Sequence, residues 1–540
     1  MTSNVNPVKR LWSLVQEKRS DITAIYFFAL LSGLIQLSLP LGIQAIIGFV
    51  IGGTLSASLV VLLSILIVAV FLTGVLRVNQ MRVIEKVQQR LFVKYSFQFV
   101  NHIPRLDLKK VDSFYLPELV NRFFDTIVLQ KGFSKLLLEL PTAATQIVLG
   151  LMVLSFYHPF FIFFGILLIL LLWLILHTTG HRGLDSSLQE SANKYKVAGW
   201  LEEMARMVKT FKFSESELHY KKADERTINY LTARTNHFKV LELQYKVLIA
   251  FKVFITAAML IGGVILLVEE QINIGQFVAA EIIIIAIIAS VEKIIINLES
   301  VYDVMTAIEK INKLLDKPTE RTGNYKLQTS AINITAKDLS FEFEPGRKII
   351  SNVNFSIEAG DKVCISGSTG SGKSTLLQLI SGVYKDYNGS LCINSIPVGN
   401  YELSSLRSRT GMLFIQENIF QGTLLENLTL DRNNIDEHYL YYLCEQTGLL
   451  SFLESLPEGF DTELDPTGKR LPRTVIQQIL IIRALAHKPD LLIMENPLFG
   501  IKHPHINSVK KLLLDSPATL IVSTNGDEFI QDCNKIIDLN

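Results

Sequence analysis

Six long apolar runs follow one another in the first 300 or so residues, near 22–51, 55–76, 136–156, 159–176, 245–268 and 274–298. Each approaches or exceeds the roughly 20 residues a helix needs to cross the hydrocarbon core of a bilayer. The fourth, PFFIFFGILLILLLWLIL, carries no charge at all, whereas Gln36, Pro40 and Gln44 dilute the first and Glu281 and Glu292 the sixth. Lys9, Arg10, Lys18 and Arg19 stand ahead of the first run in the manner of a signal peptide. That run is too long for a signal core, and no small-residue cleavage site stands out, so it reads as a retained span.

The connections between runs alternate in length. Gly52-Gly53-Thr54, Ser155-Phe156-Tyr157-His158 and Glu269-Glu270-Gln271-Ile272-Asn273 are short and lack Lys and Arg, while 77–135 and 177–244 are long and rich in both. By the positive-inside rule the short loops are expected outside and both termini in the cytosol. Two long inner connections also suit helices that run on past the membrane surface.

From Lys317-Pro318-Thr319 to about Ser330 the apolar runs give way to a polar, turn-rich stretch. Beyond it the period changes: Ile332–Phe343, Val353–Ile357, Lys362–Ser366, Leu491–Met494 and Thr519–Ser523 read as strands, with helices such as Ser374–Ser381 interleaved. The expected organisation is an all-α six-helix transmembrane domain over 1–318, a linker over 319–331 and an α/β domain over 332–540.

Composition sharpens this picture. Hydrophobic residues are 49% and charged residues 19% of the 540, so a bilayer rather than water must solvate much of the surface. A net charge of +1 argues against a nucleic-acid-coating protein, and no nucleic-acid partner is expected. Cys364, Cys392, Cys444 and Cys533 lack the close pairing of metal ligands or a redox CxxC and read as reduced cytosolic thiols.

The clearest chemistry follows the strand Lys362–Ser366. Gly367-Ser368-Thr369-Gly370-Ser371-Gly372-Lys373-Ser374-Thr375 contains the full G-x-x-x-x-G-K-[ST] pattern between a strand and a helix. Its glycines let backbone N–H groups turn inward around a polyphosphate, and the following helix adds the positive end of its dipole. Lys373 is expected to reach the β- and γ-phosphates and Ser374 to offer its hydroxyl to Mg²⁺, which makes the α/β domain a P-loop NTPase with ATP and Mg²⁺ as its ligands.

In this order of features the chain resembles an ABC transporter of the exporter type, a half-transporter with an ABC ATPase domain, over nearly its whole length. The resemblance implies that Phe343 stacks on adenine and that Gln416, in LFIQENIFQGTLLENL, belongs to the loop linking Mg²⁺ to the membrane helices. It also implies coupling segments near Phe114–Leu119 and Val197–Glu203. Two such halves, as a homodimer or a heterodimer in the bacterial inner (cell) membrane, would move a substrate outward.

Several family positions depart from that resemblance. TELDPTGKRLPRTVIQQILIIRALAHKPDLLIMENP, starting at Thr462, aligns without gaps on the family's TEVGERG…LSGGQ…ARAL…DE run. Leu471-Pro472-Arg473-Thr474-Val475 then replaces the signature that grips the opposite subunit's γ-phosphate. Pro472 has neither hydroxyl nor N–H, and Arg473 and Thr474 carry side chains where glycines allow close approach. Glu495 replaces the aspartate that holds Mg²⁺, and Asn496 replaces the glutamate that acts as base; a one-residue slide, which would make Glu495 the base, is disfavoured by the unbroken spacing from Arg483. Lys502 stands at the aspartate of the D-loop and Asn525 at the switch histidine. Binding of nucleotide is therefore expected to survive, through Ser374, Gln416 and Glu495 at the metal, while hydrolysis is reduced or absent.

Lys252 and Glu281, costly inside a bilayer, are expected to face a cavity or a partner, though their depths disfavour pairing with each other. Two alternatives to the exporter half remain: a non-hydrolysing structural or regulatory subunit that depends on a competent partner, and a component of a protein or peptide secretion system working with adaptor proteins. No peptidase domain precedes the first span in this sequence, so leader processing is not expected.

Overall fold

The computed structural model describes residues 7–17, 19–52, 57–415, 418–432, 435–464, 471–524 and 529–539. The chain divides into two compact units: one holds Met1–Pro104 and Phe114–Lys317, the other Arg105–Ser113 and Pro318–Asn540.

In the first unit, six stretches among the described residues are long and apolar enough to span a membrane: Arg19–Ile51, Ala57–Arg105, Leu116–Tyr157, Phe160–Arg206, Leu218–Val268 and Ile274–Leu315. Three of their helices run for 46, 47 and 51 residues, more than twice the span of a bilayer core, so their polar halves continue into water. The apolar halves stay exposed on the helical bundle, with Ile67, Phe71 and Phe163 each about 70% exposed, as a lipid-facing surface requires. The sixth stretch starts on a capping box: the Asn273 side chain accepts from the Gln276 N–H at 2.8 Å, and the Gln276 side chain accepts from the Asn273 N–H at 2.9 Å.

Buried polar groups in the bundle are tied together. Gln244 donates to Thr179 Oγ1 at 2.7 Å and to the Tyr302 hydroxyl at 2.9 Å, joining the fourth, fifth and sixth helices. Lys252 does have a partner, and it is Glu292 on the sixth helix, 2.7 Å away. Arg77 and Lys293 both lie 3.6 Å from Glu139, which bridges the second, third and sixth helices.

The second unit carries two main sheets. Strands β1 (Ile334–Glu342), β2 (Lys348–Ile357), β4 (Asn388–Ile393) and β5 (Ile396–Pro397) form an antiparallel sheet in the order β2-β1-β4-β5. Strands β3 (Lys362–Ser366), β6 (Thr410–Leu413), β9 (Leu491–Glu495), β10 (Thr519–Ser523) and β11 (Lys535–Asp538) form a parallel sheet in the order β11-β3-β10-β9-β6. A short pair, β7 (Gly422–Thr423) with β8 (Glu463–Leu464), lies apart. Parallel strands covered on both faces read as continuous apolar runs, and Val363, Cys364 and Ile365 in β3 are fully buried. Parallel pairing puts every strand's C-terminal end on one edge, which is where open α/β sheets build their sites. All four cysteines are free thiols.

The segment that folds with this unit is Arg105–Ser113, just before the expected coupling position at Phe114–Leu119. That position forms the short helix Leu116–Asn121 of the helical unit, and Val197–Glu203 lies inside the helix Phe160–Arg206.

Candidate functional site

The loop Gly367–Gly372 leaves the C-terminal end of β3 and feeds the helix Lys373–Ile380. Gly367, Gly370 and Gly372 all adopt positive φ, at 147°, 88° and 94°. A side chain at Gly372 would be strained in that conformation and would also set a Cβ 2.9 Å from the Ile349 carbonyl. The loop's path thus depends on glycine at this point. Lys373 is buried and folds back inside the turn, donating to the carbonyls of Gly367 at 2.7 Å and Ser368 at 3.0 Å.

Ser374 and Glu495 are 121 residues apart in sequence and meet at the site. The Ser374 hydroxyl donates to Glu495 Oε1, and Glu495 Oε2 accepts from the Ile415 N–H at 3.2 Å. Glu495 ends β9, so its carboxylate hangs from the same sheet edge as the loop. Asn496 follows with φ 45°, a left-handed conformation that Asn tolerates better than Glu, and its N–H bonds the Ser523 carbonyl at 2.8 Å. Gln416 and Asn525 lie outside the described residues, as does Gly53.

Phe343 stands just beyond the end of β1. Its ring meets Phe341 at 5.0 Å and Tyr384 at 5.4 Å, both edge to face, while Phe341 and Tyr384 stack at 5.3 Å. Burial holds the Tyr384 phenol above its ordinary pKa, so this aromatic group stays neutral. Sequence reasoning singled out Phe343 but missed Phe341 and Tyr384. Alternation along β1 signals Phe341, two residues away on the same face; nothing local signals Tyr384.

The helix Arg473–Leu485 opens at an extended Pro472 and has no side-chain cap. Thr474 Oγ1 donates to the Gly500 carbonyl at 2.8 Å, and Gln477 Nε2 to the Pro497 carbonyl at 3.2 Å, so these polar groups are engaged within the domain. Arg473 and Lys502 point to solvent. Arg483 fastens the other end of the helix, donating to the Asn427 carbonyl at 2.7 Å and to Asn427 Oδ1 at 3.1 Å.

A phosphate-loop domain of this topology, in one chain with six membrane-spanning helices, defines an ATP-binding subunit of a membrane transporter. Residues 22–291 match the ABC transporter transmembrane region and residues 350–498 match the ABC transporter family, and the chain belongs to that family as an exporter-type half-transporter. It is 30% identical to the ABC transporter ATP-binding protein YknV of Bacillus subtilis over 53% of this chain and 48% of that protein. It is 25% identical to the ATP-dependent lipid A-core flippase of Coxiella burnetii over 82% and 76% of the two chains. With the lactococcin-A transport/processing ATP-binding protein LcnC of Lactococcus lactis it shares 23% identity over 89% and 67%. The chain spans about half the length of several of the curated relatives it matches. Its fold follows that of a bacterial Atm1-family ABC exporter with ATP bound, at a TM-score of 0.80 and 17% identity, covering 97% of this chain and 93% of the other.

Proposed function

We propose that this chain is the ATP-binding, weakly hydrolysing half of a heterodimeric ABC exporter in the bacterial inner membrane, moving substrate outward with a second, more competent half. The observation that carries the reading is the meeting of Ser374 with Glu495 beneath an intact phosphate loop, with Asn496 next in line. In this reading Gly367 to Thr375 cradle the phosphates, Lys373 reaches the terminal ones and Phe343 stacks on adenine.

Magnesium fits the residues present. A hydroxyl and a carboxylate brought together supply the hard oxygen donors the ion prefers, and Mg²⁺ takes its remaining ligands from water and substrate phosphates rather than from a protein cage. Ser374, Glu495 and Gln416 would hold it, and the ion would neutralise charge on the β- and γ-phosphates. Asn496 has no basic lone pair to accept a proton from water. That absence favours a subunit that binds nucleotide and leaves turnover to its partner.

The reading is tested by purifying the chain from native membranes with what it assembles with. ATPase activity is expected in the complex and near background in the isolated chain; equal rates per subunit would contradict the division of labour. Orientation is tested separately. Single cysteines at Gly53 and Tyr157, in a background lacking the native four, are expected to react with an impermeant thiol reagent from outside the cell. Labelling of a cysteine within 177–244 instead would overturn it.

A further inference from the structure

Lys109 lies outside the nucleotide motifs, in the short helix Leu108–Val111 of the segment that continues from the second membrane helix and folds with the ATP-binding unit. The segment is pinned there by backbone bonds within that unit. Asp107 N–H donates to the Pro318 carbonyl at 3.0 Å, Glu320 N–H donates to the Arg105 carbonyl at 2.7 Å, and Leu106 bridges Thr319.

From this fixed base Lys109 reaches two structures at once. Its ammonium lies 4.6 Å from the centroid of the Phe341 ring and donates to the Asp386 carbonyl at 3.0 Å. Phe341 is 2% exposed, so the cation sits against a largely desolvated ring. Phe341 in turn stacks on Tyr384, and both hold the Phe343 ring edge to face. One lysine therefore ties the end of β1 to the loop after the phosphate-loop helix, and through Phe341 it is linked to the Phe343 ring.

We propose that Lys109 is a positioning residue for the adenine platform, clamping Phe341 and the Tyr384–Asp386 loop so that Phe343 is held ready to stack on the base. The proposal rests on Phe343 being that platform. It makes the segment leaving the second span sensitive to the base of the nucleotide.

The test compares ATP with inorganic tripolyphosphate, which lacks a base, for binding to the full-length protein in lipid nanodiscs. Lys109→Met keeps length and removes charge; it is expected to weaken ATP about two- to fivefold and leave tripolyphosphate unchanged, while Lys109→Arg keeps ATP affinity. Unchanged ATP affinity in Lys109→Met would overturn the proposal, and so would an equal loss for both ligands, which marks general damage. Phe343→Ala separates the two layers. If it weakens ATP alone while Lys109→Met matches the parent, the platform stands and the clamp is wrong. If Phe343→Ala leaves ATP binding intact, the platform reading is wrong and the clamp falls with it.

Discussion

Restoring the missing base alone, by Asn496→Glu, is expected to recover little ATP turnover. Adding Pro472→Ser, Arg473→Gly, Thr474→Gly and Asn525→His to it is expected to raise turnover by at least about tenfold more, because a general base contributes ~10²–10⁴-fold only when the γ-phosphate and the water are already held in place. Two features of the structure make the single change weak. Asn496 sits at φ 45°, where a glutamate adds roughly 1 kcal/mol of backbone strain, so the new carboxylate starts from a disfavoured conformation. Thr474 spends its hydroxyl on the Gly500 carbonyl, and the helix beginning at Arg473 presents side chains where the proposed reading needs close backbone approach. Steady-state phosphate release from the parent, the single variant and the five-fold variant decides the matter. A single variant as fast as the five-fold one would show that Asn496 is the whole defect.

The second large effect is on binding. Lys373→Ala is expected to weaken ATP affinity by roughly 10- to 100-fold, the scale of one or two charge-assisted hydrogen bonds to the terminal phosphates at about 1.5–3 kcal/mol each. Because Lys373 also donates to the Gly367 and Ser368 carbonyls inside the turn, the variant needs a fold check, and its thermal unfolding should stay within a few degrees of the parent's. Equilibrium binding of a fluorescent ATP analogue measures the effect. Unchanged affinity in a folded variant would remove the phosphate loop from the account.

Much of the architecture was legible because its signals are local. Twenty-residue apolar runs and the alternation of short neutral with long basic connections predict six spans, and the structure has helices in all six places. The phosphate loop reads directly because glycines at positive φ and a strand-to-helix turn leave a fixed spacing. The strand limits shifted by a few residues, since β2 begins at Lys348 rather than near Val353, with Ile349 and Ile350 set off from the later residues by Ser351 and Asn352.

What escaped the sequence depends on direction and distance. Spacing along a helix gives the depth of Lys252 but not the side on which its neighbour lies, so Glu292 could not be picked out as its partner. The place of Arg105–Ser113 with the ATP-binding unit was not legible either, because the four-residue helix Leu108–Val111 leaves no periodicity to read. Tyr384 reaches Phe343 only through the folding of the two sheets. Nor was the meeting of Ser374 with Glu495 legible, because 121 residues separate them and only the sheet brings them together.

The central claim, that this ABC half-transporter binds ATP without turning it over at an ordinary rate, is tested most directly by measuring both on one preparation of the unmodified chain in lipid. The account predicts saturable ATP binding together with phosphate release close to background. Brisk phosphate release that Lys373→Ala abolishes would contradict it, because the altered site would then be catalytic by another arrangement of its residues.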